Sequence, residues 1–306
     1  MSWHFQLKHS LKEVYHLTRQ ELIAESEALN KNYQIYNKKA FTNIIGTPKL
    51  MNIHGENRYC LHYASKNRKK GPVFFDIHGG GFIWGAPEED DLFSSRLNKT
   101  LDIEVYSLEY PRTAAHPYPE ALNQLYDTIK YMSEHEERYN FDMNQIIIGG
   151  HSAGGNLAAA LTLLCKEKRE LQICCQVLAY PVVAQEYAFT DEDFENDDNN
   201  VSPEILGFMK RVYESPNNVI NKFYAPILAS EEELRGLPPA VIMLCQKDIF
   251  RKQGREYASR LVAANVPVLI HEFENCPHAF EIYNGKYMQE GQDFLINGIR
   301  HFVGMP

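Results

Sequence analysis

At 306 residues, with 44% hydrophobic and 23% charged side chains, the chain can bury one large core and has the composition of neither a disordered nor a fibrous protein. A formal charge of −9, from 31 basic against 40 acidic residues, argues against a surface that grips phosphate backbones. No run of about eighteen apolar residues occurs, which excludes a membrane-spanning helix.

The first ten residues, MSWHFQLKHS, lack the apolar centre and small-residue cleavage site of a secretory signal. The cysteines at 60, 165, 174, 175, 245 and 276 make no Cys-x-x-Cys metal spacing, and are expected to be reduced, mostly buried thiols of a cytoplasmic protein.

Residues 11–40 are polar, with Leu11, Val14, Tyr15, Leu22, Ile23 and Leu29 in helical spacing. They predict one or two amphipathic helices with little core of their own. Arg58–Ala64 alternates like a half-buried strand, and the basic group Lys66, Arg68, Lys69 and Lys70 reads as a solvated turn after it. Val73–Ile77 is a short apolar strand that runs into His78-Gly79-Gly80-Gly81. Ile103–Leu108 is another strand, followed by a proline-rich loop over 111–119 and a helix over Ala121–Met132. The strand Ile146–Ile148 stops at Gly149-Gly150, and a helix fills Ala153–Cys165. Strands over Ile173–Ala179, Val241–Cys245 and Val266–Phe273 follow, with helices over Arg251–Ala264 and beyond Lys286. Buried apolar runs alternating with helices specify a mostly parallel central sheet covered on both faces.

Gln185–Asn221 breaks this rhythm. Its acidic run DEDFENDD (191–198) lacks the central glycine and ligand spacing of an EF-hand, and is expected to be a solvated, mobile loop. A helix around Pro203–Tyr213 follows.

The chemistry concentrates in three places. GHSAG (150–154) is a Gly-x-Ser-x-Gly pattern between a buried strand and a helix of small residues. There a sharp, strained turn lifts the Ser152 hydroxyl out of the sheet. The glycines 79–81 expose backbone N–H groups without side chains in the way, as an oxyanion hole requires; the N–H of Ala153 would be a further donor. A general base must follow the serine, with an acid between them. His278, in the loop segment NCPHAF (275–280), and Asp248, directly after the strand Val241–Cys245, suit those roles. His271 lies inside a strand and His301 in the last helix; Glu272 and Glu274 are rival acids at the end of a strand.

These segments resemble the hormone-sensitive-lipase-like family of carboxylesterases, within the α/β-hydrolases, over about Val73 to Phe280. HGGGF (78–82), Tyr110 with HPYPEAL (116–122), GGHSAGGNL (149–157), YAPILA (224–229), GLPPA (236–240), KDIFRKQGREYASRL (247–261) and HAF (278–280) carry the likeness. The resemblance implies an α/β-hydrolase fold over 46–306. A small helical cap would be built from residues 1–45 and the insertion at about 185–221. It implies Ser152, Asp248 and His278 as a catalytic triad, and Gly80, Gly81 and Ala153, with Gly79 beside them, as the oxyanion hole. It further implies hydrolysis of small short- to medium-chain acyl esters through an acyl-enzyme without cofactor or metal, no nucleic-acid or membrane partner, and a possible homodimer. An amidase or peptidase on the same triad and a non-catalytic ligand-binding relative are the competing readings. The chain departs from the family pattern at His151, where Asp is usual; at Pro111, where Arg is usual; and at Lys252 and Gln253, where an acidic pair is usual.

Strand alternation separates the candidate acids. Glu272 and Glu274 share one face of their strand and Phe273 takes the opposite, core-facing side, so neither glutamate is directed at His278. Asp248→Asn should lower turnover by about 10⁴, as in the corresponding serine-protease change, while Glu272→Gln and Glu274→Gln leave the rate nearly unchanged. Initial rates on an activated ester, with circular dichroism as the folding control, decide the matter. A folded glutamine variant as impaired as Asp248→Asn would reassign the acid.

Overall fold

The computed structural model describes residues 7, 9–37, 43–199, 201–282 and 287–304. Two N-terminal helices, α1 (Leu11–His16) and α2 (Arg19–Asn37), precede the hairpin strands β1 (Thr47–Ile53) and β2 (Glu56–Tyr63) and then β3 (Gly71–Ile77). Then come α3 (Asp91–Leu101), β4 (Glu104–Leu108), α4 (Glu120–Glu134), α5 (Glu136–Tyr139), β5 (Phe141–His151), α6 (Ala153–Lys168) and β6 (Ile173–Ala179). The insertion supplies α7 (Asp191–Glu195) and α8 (Pro203–Tyr213). The chain closes with α9 (Glu231–Leu234), β7 (Ala240–Lys247), α10 (Arg251–Ala263), β8 (Val268–Pro277) and α11 (Met288–Val303).

The eight strands form one sheet in the order β1-β2-β4-β3-β5-β6-β7-β8. β1 and β2 pair antiparallel with each other, as do β2 and β4, and every other neighbouring pair is parallel. Alternation along the central strands feeds two cores. Val73, Phe75, Ile77, Ile146 and Ile148 pack with side chains of α4, α6 and α10, while Phe74, Val105, Ile147, Val177 and Val241 pack with α3 and α11. Burial on both faces is why these strands read as continuous apolar runs.

The differences from the sequence reading have physical causes. β1, with Pro48, Lys49 and Asn52, is a half-exposed edge strand whose composition hides its pairing with β2. β5 begins at Phe141, earlier than its apolar stretch, because Gly71 pairs with Phe141 across polar residues. β8 continues to Pro277, so His278 follows the strand end at once.

The acidic run is only partly solvated: Asp191, Glu192, Glu195 and Asp198 are exposed, but its first five residues form α7. Thr190 caps α7 in a capping box with Asp193, and Asp193 and Asp197 are both buried. Lys252 of α10 reaches Asp193 Oδ1 at 2.7 Å, and Gln253 Oε1 accepts from Ala184 N at 2.8 Å, so the two departures beyond Asp248 fasten the insertion to the main domain. α8 in turn packs on α1 and α2, through Val14, Leu22, Phe208 and Val212, in a small cluster that also includes Ile83 and Trp84.

The turn from β5 to α6 depends on the absence of a side chain at Gly154. A Cβ there would lie 2.0 Å from the carbonyl oxygen of Ile77 and 2.5 Å from that of His78. Both are backbone atoms of β3 and its exit loop, and cannot swing aside. Gly154→Ala should therefore destabilise the whole sheet-to-helix junction, seen as a large drop in melting temperature or loss of soluble protein; a variant that melts with the wild type would show that the junction can relax.

Candidate active site

Ser152 sits between the last residue of β5 and the first of α6, with φ 56° and ψ −114°. A left-handed backbone is strained for a residue with a side chain. Here it is fixed by Ser152 N donating to Ala179 O at 2.9 Å, and by the Ser152 carbonyl accepting from Asn156 N at 3.1 Å and Val182 N at 3.2 Å. The hydroxyl lies 2.8 Å from Nε2 of His278, and His278 Nδ1 lies 2.8 Å from Asp248 Oδ2. With Asp248 accepting from Nδ1–H, Nε2 is left to accept from the serine hydroxyl. Asp248 is itself oriented: its Oδ1 accepts from Phe250 N at 2.9 Å. All three side chains are buried, and the imidazole lies between the rings of Tyr180 and Phe250, with centroids 4.5 and 5.4 Å away. Burial disfavours its charged form; the adjacent Asp248, with Asp197 and Glu281 farther off, outweighs this and raises its pKa above the ordinary 6.5.

The rival acids lie elsewhere. Glu272 forms a two-pronged ion pair with Arg255 at 2.5 Å, Phe273 packs into the core under α11, and Glu274 is exposed. His271 and His301 are exposed on β8 and α11.

Gly80 and Gly81 follow β3 with φ 115° and 59°. At Gly80 a Cβ would meet the carbonyl of Trp84 at 2.2 Å, so the turn requires glycine. The N–H groups of Gly80, Gly81 and Ala153 donate to no acceptor among the described residues. Gly81 and Ala153 face the same recess as the serine, and Gly79 and Gly80 a smaller cavity behind it. The loop is held from the back: His78 stacks on Tyr110 at 4.3 Å, and Tyr110 donates to the His78 carbonyl at 2.9 Å. Glu109 pairs with His78 and with Arg112, which follows the unexpected Pro111.

The recess in front of Ser152 opens to solvent. Phe82, Val182, Phe189, Leu206, Met209 and Phe250 make it largely apolar, and Asp197 and Lys210 add charge.

Beneath the nucleophile lies a buried polar group that the sequence reading passed over. His151 Nδ1 is 3.2 Å from Glu281 Oε1 and 3.2 Å from the Tyr180 hydroxyl, and its Nε2 is 3.4 Å from Asp76 Oδ1. Tyr180 donates to Glu281 at 2.5 Å, and Ser94 and Ser107 donate to Asp76 Oδ2. The signal was Asp76 inside the apolar run VFFDI: a carboxylate in a central strand calls for a partner. Burial disfavours the charged imidazole, but Asp90, Asp76 and Glu281 hold it well above its usual pKa. Asp76, Asp90 and His151 bring three possible ligand atoms within 4.8 Å of one another, and the acids are also the groups that favour the charged form of His151. No helix of the described residues is long and apolar enough to cross a membrane.

The model of a family described as having the alpha/beta hydrolase fold matches residues 74–282, and the chain belongs to that family. It is 28% identical to an arylesterase of Saccharolobus solfataricus, covering 71% of each chain. It is 27% identical to an arylacetamide deacetylase of Oryctolagus cuniculus, over 74% of this chain and 72% of that one. Its fold matches the structure of an esterase from Pyrobaculum calidifontis with a TM-score of 0.80, at 24% identity, over 97% of this chain and 94% of the other.

Glu89 borders the cavity behind Ser152 and His278, and its Oε1 is shut from solvent without a partner among the described residues. Burial pushes its carboxyl from the usual 4.5 up to about 8. Between those values the folded chain keeps a proton that the unfolded chain releases, so stability falls as pH rises through this window. Glu89→Gln should therefore melt above the wild type at pH 8, with the gap closing toward pH 4.5. Parallel thermal melts check this; a constant gap across the range would mean that the proton is not held.

Proposed function

We propose that the protein is a serine carboxylesterase with Ser152, His278 and Asp248 as its triad. The observation that carries this reading is the continuous hydrogen-bonded line from Asp248 through His278 to Ser152, 2.8 Å at each step, opening on an apolar recess. The names of its relatives, among them an arylesterase and other esterases, support it.

The reaction follows from the geometry. His278 Nε2 takes the proton as Ser152 Oγ attacks the ester carbonyl, and Asp248 stabilises the imidazolium. The N–H groups of Gly80, Gly81 and Ala153, which donate to no acceptor among the described residues, receive the negative oxygen of the tetrahedral intermediate in this reading. His278 returns the proton to the leaving alcohol, and water repeats the sequence on the acyl-enzyme. The apolar walls suit short to medium acyl chains, and α1, α2 and the 185–221 insertion serve as the cap over them.

A second reading has one observation in its favour: the similarity to an arylacetamide deacetylase suggests cleavage of aryl amides on the same triad. Both are tested together with matched 4-nitrophenyl esters and 4-nitroanilides of two- to six-carbon acids. The esters should turn over much faster. Ser152→Ala should lose on the order of 10⁶ in turnover, with a residual rate from the oxyanion donors. A folded variant retaining a tenth of the wild-type rate would remove Ser152 from the mechanism, and anilides cleaved as fast as esters would favour the amidase.

A further inference from the structure

The recess holds an acid for which ester hydrolysis as set out above has no use. Asp197 is only 6% exposed, yet it lines the same cavity as Ser152 and His278. The chain brings it there by design of its neighbours. Asp193 is fastened by Lys252, Asp197 N donates to Phe194 O at the end of α7, and Asp198 N donates to Lys247 O, one residue before Asp248. Its own oxygens accept from Val201 N at 2.8 Å and from Asn199 Nδ2 at 3.5 Å. These bonds orient the carboxylate without neutralising it. Among the described residues no lysine or arginine pairs with it, and His278, whose charge also acts on it, is hydrogen-bonded to Asp248; Lys210, which also lines the recess, is engaged by Glu186 at 2.5 Å.

A buried carboxylate without a counter-charge is costly, and burial accordingly drives the Asp197 pKa upward. The missing charge can come from the substrate. The walls beside Asp197 favour one kind of cation. Phe189 and Phe250 line the recess with it, their rings 5.9 Å apart and nearly perpendicular, and Phe194 lies 6.2 Å from Phe189. Aromatic faces together with one carboxylate bind ammonium groups, which the ring faces attract and the carboxylate neutralises.

The position also says which half of an ester would meet this site. The leaving alcohol receives its proton from His278 Nε2, so it departs on the His278 side of the serine. Phe250 stands on that side, its ring 5.4 Å from that of His278, and Asp197 is close enough for its charge to act on Asp248 and His278.

We infer that Asp197, with Phe189 and Phe250, forms a subsite for a cationic alcohol group, and that the preferred substrates are esters of amino or quaternary-ammonium alcohols. The inference rests on the esterase reading and adds the substrate class to it.

The test compares two butyrate esters of nearly equal shape, that of 2-(trimethylammonio)ethanol and that of neutral 3,3-dimethylbutanol. The wild type should favour the cationic ester by roughly tenfold or more in kcat/KM, about the worth of one partly desolvated cation–π and charge contact. In Asp197→Asn, which preserves shape and the bond from Val201, that ratio should fall to near one. A wild-type ratio at or below one overturns the inference and leaves the esterase reading standing. An equal fall on both esters in the variant also overturns it, because the carboxylate would then act on His278 and not on the substrate. If the wild type hydrolyses neither ester nor any 4-nitrophenyl ester, the esterase reading fails and the inference with it.

Discussion

The backbone of Ser152 is the constraint on which the rest of the site depends. Its φ of 56° and ψ of −114° place a side-chain-bearing residue where only glycine rests easily, at a cost of about 1–3 kcal/mol. Nothing local repays that cost. It is met by the sheet: β5 and β6 carry the serine between them, the Ala179 carbonyl takes its N–H, and Gly154 lets α6 press against the carbonyls at the end of β3. The strain holds Oγ above the sheet edge, where the short connection after β8 presents His278 and the end of β7 presents Asp248. Stability in the sheet is thereby converted into a fixed direction for one hydroxyl.

The same turn explains why the chain's departures from the family pattern do not dismantle it. A histidine instead of an acid before the nucleophile inverts a buried charge. Acids surround it: Asp76 from β3, Asp90 ahead of α3 and Glu281 beyond His278. Pro111 gives up a basic side chain that Arg112, one residue on, supplies to Glu109. Lys252 and Gln253 exchange acidic groups for a cation and an amide, and each finds its partner in or beside the insertion. Each substitution is isolated in the sequence and paired in space.

That pattern also marks the limit of what the sequence discloses. The sheet, its crossovers and the placement of Ser152, Asp248 and His278 at strand ends were legible, because buried parallel strands leave continuous apolar runs and their chemistry follows at fixed offsets. β1 was not legible, since an edge strand with Pro48 and Lys49 carries little apolar signal. The burial of Asp193 and Asp197 was misread, because eight residues that are mostly acidic look solvated unless one knows that Lys252 lies opposite. The acids around His151 come from three separate segments, so no local window could assemble them. Tertiary pairing of charges leaves no periodic trace.

The packing of Ile83 and Trp84 has a consequence for the protein's motions. These two residues leave the oxyanion loop, each donating to the Gly80 carbonyl, yet their side chains join the cluster formed by α1, α2 and α8 and not either core of the sheet. That cluster is small and lies outside the parallel strands, the kind of unit that opens locally while the rest of the fold stays closed. Opening of that unit releases the two side chains at the exit of the glycine loop, although no described residue of either helix lines the recess before Ser152. The exit of the glycine loop is thereby anchored outside the sheet, in a unit that the strands do not hold.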